Sequence, residues 1–137
     1  MQFVTGVYTK STGVANYDVD SCFIARVSSR GDYERGSYLY FNNLHDSYCH
    51  NLALIPRVNY LVAVGYANNN GVNKNKAMIY LVDQDLNQKA LKMWTNTRDA
   101  YNFVGVDIES VATDVQVAEA DGSIYITGYI QNSFSRG

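Results

Sequence analysis

The sequence predicts an all-β fold of antiparallel four-stranded meander repeats, propeller-blade-like, with two units and one leading strand. Three observations carry this expectation. Apolar and polar residues alternate in short runs along nearly the whole chain, the period at which side chains fall on opposite faces of a strand. Twelve of the aromatic residues are Tyr, against five Phe and one Trp, and Tyr favours pleated surfaces with one wet end. A glycine near the end of an apolar strand recurs at Gly6, Gly65 and Gly128, 59 and then 63 residues apart.

The elements follow in order. Phe3-Val4-Thr5-Gly6-Val7-Tyr8 gives a first strand over about 2–8. Cys22-Phe23-Ile24-Ala25-Arg26-Val27 gives a strand over about 21–28, and the polar turn Ser28–Asp32 leads to another over about 35–41. Asn51-Leu52-Ala53-Leu54-Ile55 and Tyr60–Tyr66 form two more, about 49–55 and 60–67, around Pro56-Arg57-Val58-Asn59. The pattern then repeats, with Ala77–Val82, the turn Asp83–Asn87, and Ala90-Leu91-Lys92-Met93-Trp94 marking strands over about 76–82 and 88–95. Val115-Gln116-Val117-Ala118 and Ile124–Ile130 flank Asp121-Gly122, a pair that tolerates the positive φ of a tight hairpin turn, giving strands over about 112–118 and 124–130. In 104–112, Val104, Val106 and Ile108 alternate rather than follow a helical period, so this stretch reads as loop and strand. Residues 1–20 are thus the leading strand and loop, 21–75 the first four-strand unit and 76–137 the second.

Composition narrows the function. The formal net charge is −2 and no basic stripe is present, which argues against nucleic acid as a partner. No apolar run approaches the roughly 18 residues that span a bilayer as a helix. The amino terminus has no signal-peptide pattern and reads as a strand already in progress, so either the mature chain starts here after processing or a longer protein continues it.

Asp114–Tyr129, with its Asp121-Gly122 turn before Ile124-Tyr125-Ile126-Thr127-Gly128-Tyr129, resembles the repeat of the seven-bladed β-propeller repeat family, and Cys22–Val27 resembles its apolar strand. The resemblance spans nearly the whole chain, twice over. Pro56–Asn59 departs from it by standing where the family has its Asp-Gly turn, and the 96–110 loop is long. What the resemblance implies is a scaffold of four-stranded blades; it implies no catalytic residues and no cofactor, because a fold of this kind is shared without a shared chemistry.

Candidate chemistry is sparse. His45, Asp46, Ser47, Cys49 and His50 crowd one expected loop, but a nucleophile and its base are defined by geometry between elements, not by local crowding. Asp83-Gln84-Asp85-Leu86-Asn87 starts like a calcium loop and then fails, with Gln88 at the glycine position and Trp94 at the position of the bidentate Glu, so a polar turn is expected. Asp18 with Asp20, and Asp107 with Glu109, read as solvated carboxylates. Tyr38, Tyr40, Phe41, Tyr48, Tyr60 and Tyr66 offer stacking faces for a glycan, but packing is the default for strand aromatics. Cys22 and Cys49 leave two alternatives. An extracellular setting favours a disulfide, whereas first and third strands of one sheet lie roughly 9–10 Å apart, beyond disulfide reach.

Two units cannot close a ring of roughly 4–8 blades. The leading strand matches the last strand of a unit and lacks partners of its own. The expectation is therefore a non-enzymatic structural or scaffold protein, extracellular, either a ring or filament subunit whose partners are copies of itself and whose assembly strand is Phe3, Val4, Thr5, Gly6, Val7 and Tyr8, or a fragment of a longer propeller. A glycan-binding module is the alternative.

Overall fold

A computed structural model of the chain describes residues 2–11, 18–38, 44–69, 75–93 and 108–132. Nine strands make up these segments: β1 (Gln2–Ser11), β2 (Asp18–Val27), β3 (Tyr33–Tyr38), β4 (Leu44–Ile55), β5 (Tyr60–Asn69), β6 (Lys76–Asp83), β7 (Gln88–Met93), β8 (Ile108–Val117) and β9 (Ile124–Asn132). Each overlaps a strand expected from the sequence, but β4, β8 and β3 begin five, four and two residues before the expected 49, 112 and 35. All pairings are antiparallel between sequence neighbours.

The grouping of the strands differs from the sequence expectation. They form sheets β1-β2-β3, β4-β5-β6-β7 and β8-β9, so the breaks fall after β3 and β7, not after β1 and β5. The segments 21–75 and 76–137 are therefore not two sheets. The leading strand is not spare either, because β1 pairs with β2 over its whole length, from Gln2 opposite Val27 to Ser11 opposite Asp18. The physical reason is that alternation fixes which face a side chain takes and says nothing about which neighbour a strand edge accepts.

The middle sheet is covered on both faces. Cys22, Ile24, Cys49, Leu61, Ala63, Ala67, Met78, Tyr80, Val82 and Leu86 form one core between the first and second sheets. Ile55, Val62, Val64, Ala112 and Val115 form a second core between the second and third. This is why β5 reads Leu61-Val62-Ala63-Val64 without a polar residue: its odd and even positions face different cores.

Two turns are built alike. The Ser28 hydroxyl accepts from the N–H groups of Arg30 and Asp32, with Gly31 at φ 87°. The Asp83 carboxylate accepts from the N–H groups of Asp85 and Asn87, with Leu86 at φ 66°. Leu86 takes the left-handed position that glycine fills in the first turn, at a cost on the order of 1 kcal/mol, and burial of its side chain in the first core offsets that cost.

Candidate assembly interface

The two sheet-to-sheet contacts repeat one design. Ser47 on β4 is buried and its Oγ accepts from the Cys22 N–H on β2 at 2.9 Å. Ser110 on β8 is buried and its Oγ accepts from the Ala77 N–H on β6 at 2.8 Å. Beside them, Asp46 Oδ1 accepts from the Asp20 N–H, and Glu109 Oε1 accepts from Asn75 Nδ2. Each sheet therefore lays its first strand across the previous one and ties it there through a serine and an acidic side chain. The matching stretches are Asp46-Ser47-Tyr48-Cys49-His50-Asn51 and Glu109-Ser110-Val111-Ala112-Thr113-Asp114. Asn51 and Asp114, equivalent residues 63 apart, also bond to each other at 2.6 Å. Arg57 donates to the Ala120 carbonyl across the same spacing.

The glycine period has a structural cause at the same place. β4 carries an irregularity between Cys49 and Asn51, and β8 between Ala112 and Asp114. Gly65 lies opposite Cys49 and Gly128 opposite Ala112. A Cβ on either would run into a carbonyl, that of Tyr48 or of Val111. Gly6 meets only the far end of the Phe23 ring, because among the described residues the sheet β1-β2-β3 has no strand in the position of β4 or β8.

The third sheet is the incomplete one. β9 corresponds to β5, with Ile124, Ile126, Gly128 and Ile130 in the places of Leu61, Ala63, Gly65 and Ala67. Leu61, Val62 and Ala67 are buried, whereas their counterparts Ile124, Tyr125 and Ile130 are exposed, the last two at 63% and 53%, and Ile126, the counterpart of buried Ala63, is half-buried. Among the described residues, β5 pairs on both edges and β9 on one. Where β6 would continue the pattern there is a groove of about 300 Å³, lined by Ala77, Ser110, Ala112, Ile126, Gly128 and Ile130 among others. Ile79 and Leu81 of β6, packed against the second core, are only half-buried.

The residues singled out in the sequence fall elsewhere. Cys22 and Cys49 are joined by a disulfide with Cα atoms 5.0 Å apart. They belong to facing sheets, so the spacing of strands within one sheet does not apply to them. Their equivalents in the next interface are Ala77 and Ala112. The crowded residues, expected in a loop, lie on β4 instead, where strand alternation divides them between two faces. Ser47 and Cys49 are used in the interface, and His50 is exposed with its ring edge-on to Tyr66. Asp46 is engaged with the Asp20 backbone; the His45 side chain lies outside the described residues. Asp20 Oδ2 accepts from the Tyr48 hydroxyl at 2.6 Å. Burial, then this bond, raises the Tyr48 pKa well above its ordinary 10.0.

Asp83 is committed to its turn and to Lys89 at 3.5 Å, and the Asn87 backbone N–H is the main cause of its lowered pKa. Among the described residues no three His, Cys, Asp or Glu side chains are gathered as a metal site would need. Nor, among them, is any helix long and apolar enough to cross a membrane. Tyr48 stacks on Tyr66 with ring centroids 4.7 Å apart, and Tyr60 packs against the second core. The Tyr38 side chain, Tyr40, Phe41, Trp94, Asp107 and the Asp18 and Tyr8 side chains lie outside the described residues.

Sequence reasoning found the glycine period but missed the serine ties. The signal was present: reading the chain at the 63-residue spacing that separates Gly65 from Gly128 aligns Ser47 with Ser110 and Asn51 with Asp114. Comparison with protein-family models and with curated proteins finds no match.

Proposed function

We propose that this chain is a non-enzymatic structural subunit that self-assembles through its incomplete end sheets, as a propeller-type ring or a filament. The observation that carries the reading is the contrast between β5 and β9. The same repeat position is buried in a four-stranded sheet and exposed, with apolar residues, in a two-stranded one. A strand edge with no partner among the described residues, beside exposed Ile and Tyr, is a template for pairing with another chain. Because the two ends of the chain differ, the contact is head to tail, which closes into a ring or continues as a fibre. The disulfide supports an oxidising, extracellular setting.

Sedimentation over a concentration series tests the proposal. A mass that rises with concentration to a ring or an open-ended series is expected, and a compact monomer at tens of micromolar with a single cooperative melt overturns it. The alternative, a glycan-binding module, rests on Tyr125 and Tyr129, exposed four residues apart on the same face of one strand. Saturable binding of one glycan by a monomer that never associates favours it.

A further inference from the structure

Resting on the assembly just proposed, we infer that the joint is a strand exchange: β9 of one copy takes the place of β1 in the next, so that β8 and β9 combine with that copy's β2 and β3 in one four-stranded sheet.

The argument begins with strand identity. Sheet order makes β5 the second strand of a complete sheet, and its glycine equates it with both β9 and β1. Aligned on glycine, Tyr125 and Thr127 of β9 match Phe3 and Thr5 of β1. β9 therefore offers the face toward the following sheet the same kinds of residue that β1 does. On the opposite face the two differ. β9 places Ile124, Ile126 and Ile130 where β1 places Gln2, Val4 and Tyr8. Only β9 carries the apolar face that packing against a preceding sheet requires, and it already packs Ile126 there.

The groove indicates what else belongs in that sheet. In the contact between the first and second sheets, the third strand β6 fills the corresponding space with Met78, Tyr80 and Val82. By repeat position the matching residues of β2 are Phe23, Ala25 and Val27. They share one face, and neither core of the chain includes them. Laid against Ala77, Ile79 and Leu81 of the neighbouring copy, they would reproduce the contact that Met78, Tyr80 and Val82 make with Cys22 and Ile24. The joint thus continues the interface already repeated inside the chain. In the free subunit β1 plugs the slot beside β2. Exchange leaves each copy contributing two complete sheets, so about two to four copies close a ring of roughly 4–8 blades.

Register makes the inference testable. Gln2 lies opposite Val27 in the β1–β2 pair, and Ile124 holds the position of Gln2 in β9. Directly opposed Cα atoms in antiparallel strands are roughly 4.5–5.5 Å apart, within the reach of a disulfide. The two native cysteines are already paired, so introduced thiols react separately. Chains carrying Val27→Cys are mixed with chains carrying Ile124→Cys under mild oxidation and read on non-reducing gels. A 27–124 link between chains is expected. Association without that link, or with Ile124→Cys joining Gln2→Cys of a neighbour, means that β9 adds beside β1, which overturns the exchange and leaves assembly standing. Chains that never associate overturn both. A second measurement uses one chain with Gln2→Cys and Val27→Cys, oxidised to lock β1 in place. It should sediment as a monomer and regain assembly on reduction by a reagent concentration that spares the native bridge. Unchanged assembly of the locked chain overturns the exchange.

Discussion

The first and second sheets meet through the same pattern of residues as the second and third, yet the two contacts are finished differently. In the first, Cys22 and Cys49 close a disulfide and β6 completes the cover. In the second, Ala77 and Ala112 occupy those places and, among the described residues, no third strand covers the groove. A repeat therefore specifies how sheets are tied, through serine and a bulged strand opposite glycine. The number of strands present decides how much apolar surface that tie can bury.

The largest effect that separates the two contacts is side-chain truncation at equivalent positions. Leu61→Ala removes a buried side chain and should cost about 2–5 kcal/mol. Ile124→Ala, at the matching place in β9, should change the stability of the dissociated chain by less than about 1 kcal/mol. Urea denaturation of dilute protein measures both. Equal losses would show that the third sheet is covered in the monomer.

The disulfide sharpens the same comparison. Its cysteines are 27 residues apart, and loops of that size are usually stabilised by roughly 2–4 kcal/mol. Replacing both with Ala, which recreates the second contact in the first, should lower stability by about that amount. The converse pair, Ala77→Cys with Ala112→Cys, should form a second bridge, checked by mass spectrometry before and after reduction. Failure to bridge would show that the two contacts are not superposable.

Smaller effects come from the ties. Ser47→Ala and Ser110→Ala each leave a backbone N–H without its acceptor, a loss of about 1–3 kcal/mol. The two values should agree if the ties are equivalent; a much smaller loss at Ser110 would mean that water reaches Ala77 N through the groove.

The smallest is the response to pH. Burial raises the pKa of Tyr48, Tyr66 and Tyr80 above the ordinary 10.0, with the Asp20 hydrogen bond adding to it for Tyr48. Folding therefore favours their protonated forms. That contribution is intact below pH 10 and is lost as pH rises through the raised values. Asp83 and Asp121 shift the other way, each held low chiefly by a backbone N–H, of Asn87 and Ser123 respectively. Their contribution is present above 3.8 and fades as pH falls below it. The equivalent of Tyr48 in the second contact is Val111, so alkaline pH should loosen the first contact first. Hydrogen exchange at pH 9 and 10.5 checks this: earlier opening of β8 than of β4 would contradict it.

Much of the fold was legible in the chain. The alternation predicts all nine strands, though it reads the first part of β4 as a loop and starts β8 at 112, and the Asp121-Gly122 hairpin and the polar turns at Ser28 and Asp83 follow from local chemistry that needs no distant partner. The candidate interface was only partly legible. The recurrence of Gly6, Gly65 and Gly128 marked equivalent strands, but the reason for it, a carbonyl pressed against Gly65 and Gly128, arises from a second strand whose irregularity has no signature of its own.

What the sequence by itself determined is thus the set of strands, their two faces and the turns between neighbours, because side-chain period and turn conformation are properties of a few consecutive residues. What only the tertiary structure decided is which strands share a sheet and which cysteines and serines meet across sheets. Those contacts join residues more than twenty positions apart. Their free energy depends on how strand edges and faces are shared among competing partners, and alternation leaves every strand with two edges and no address.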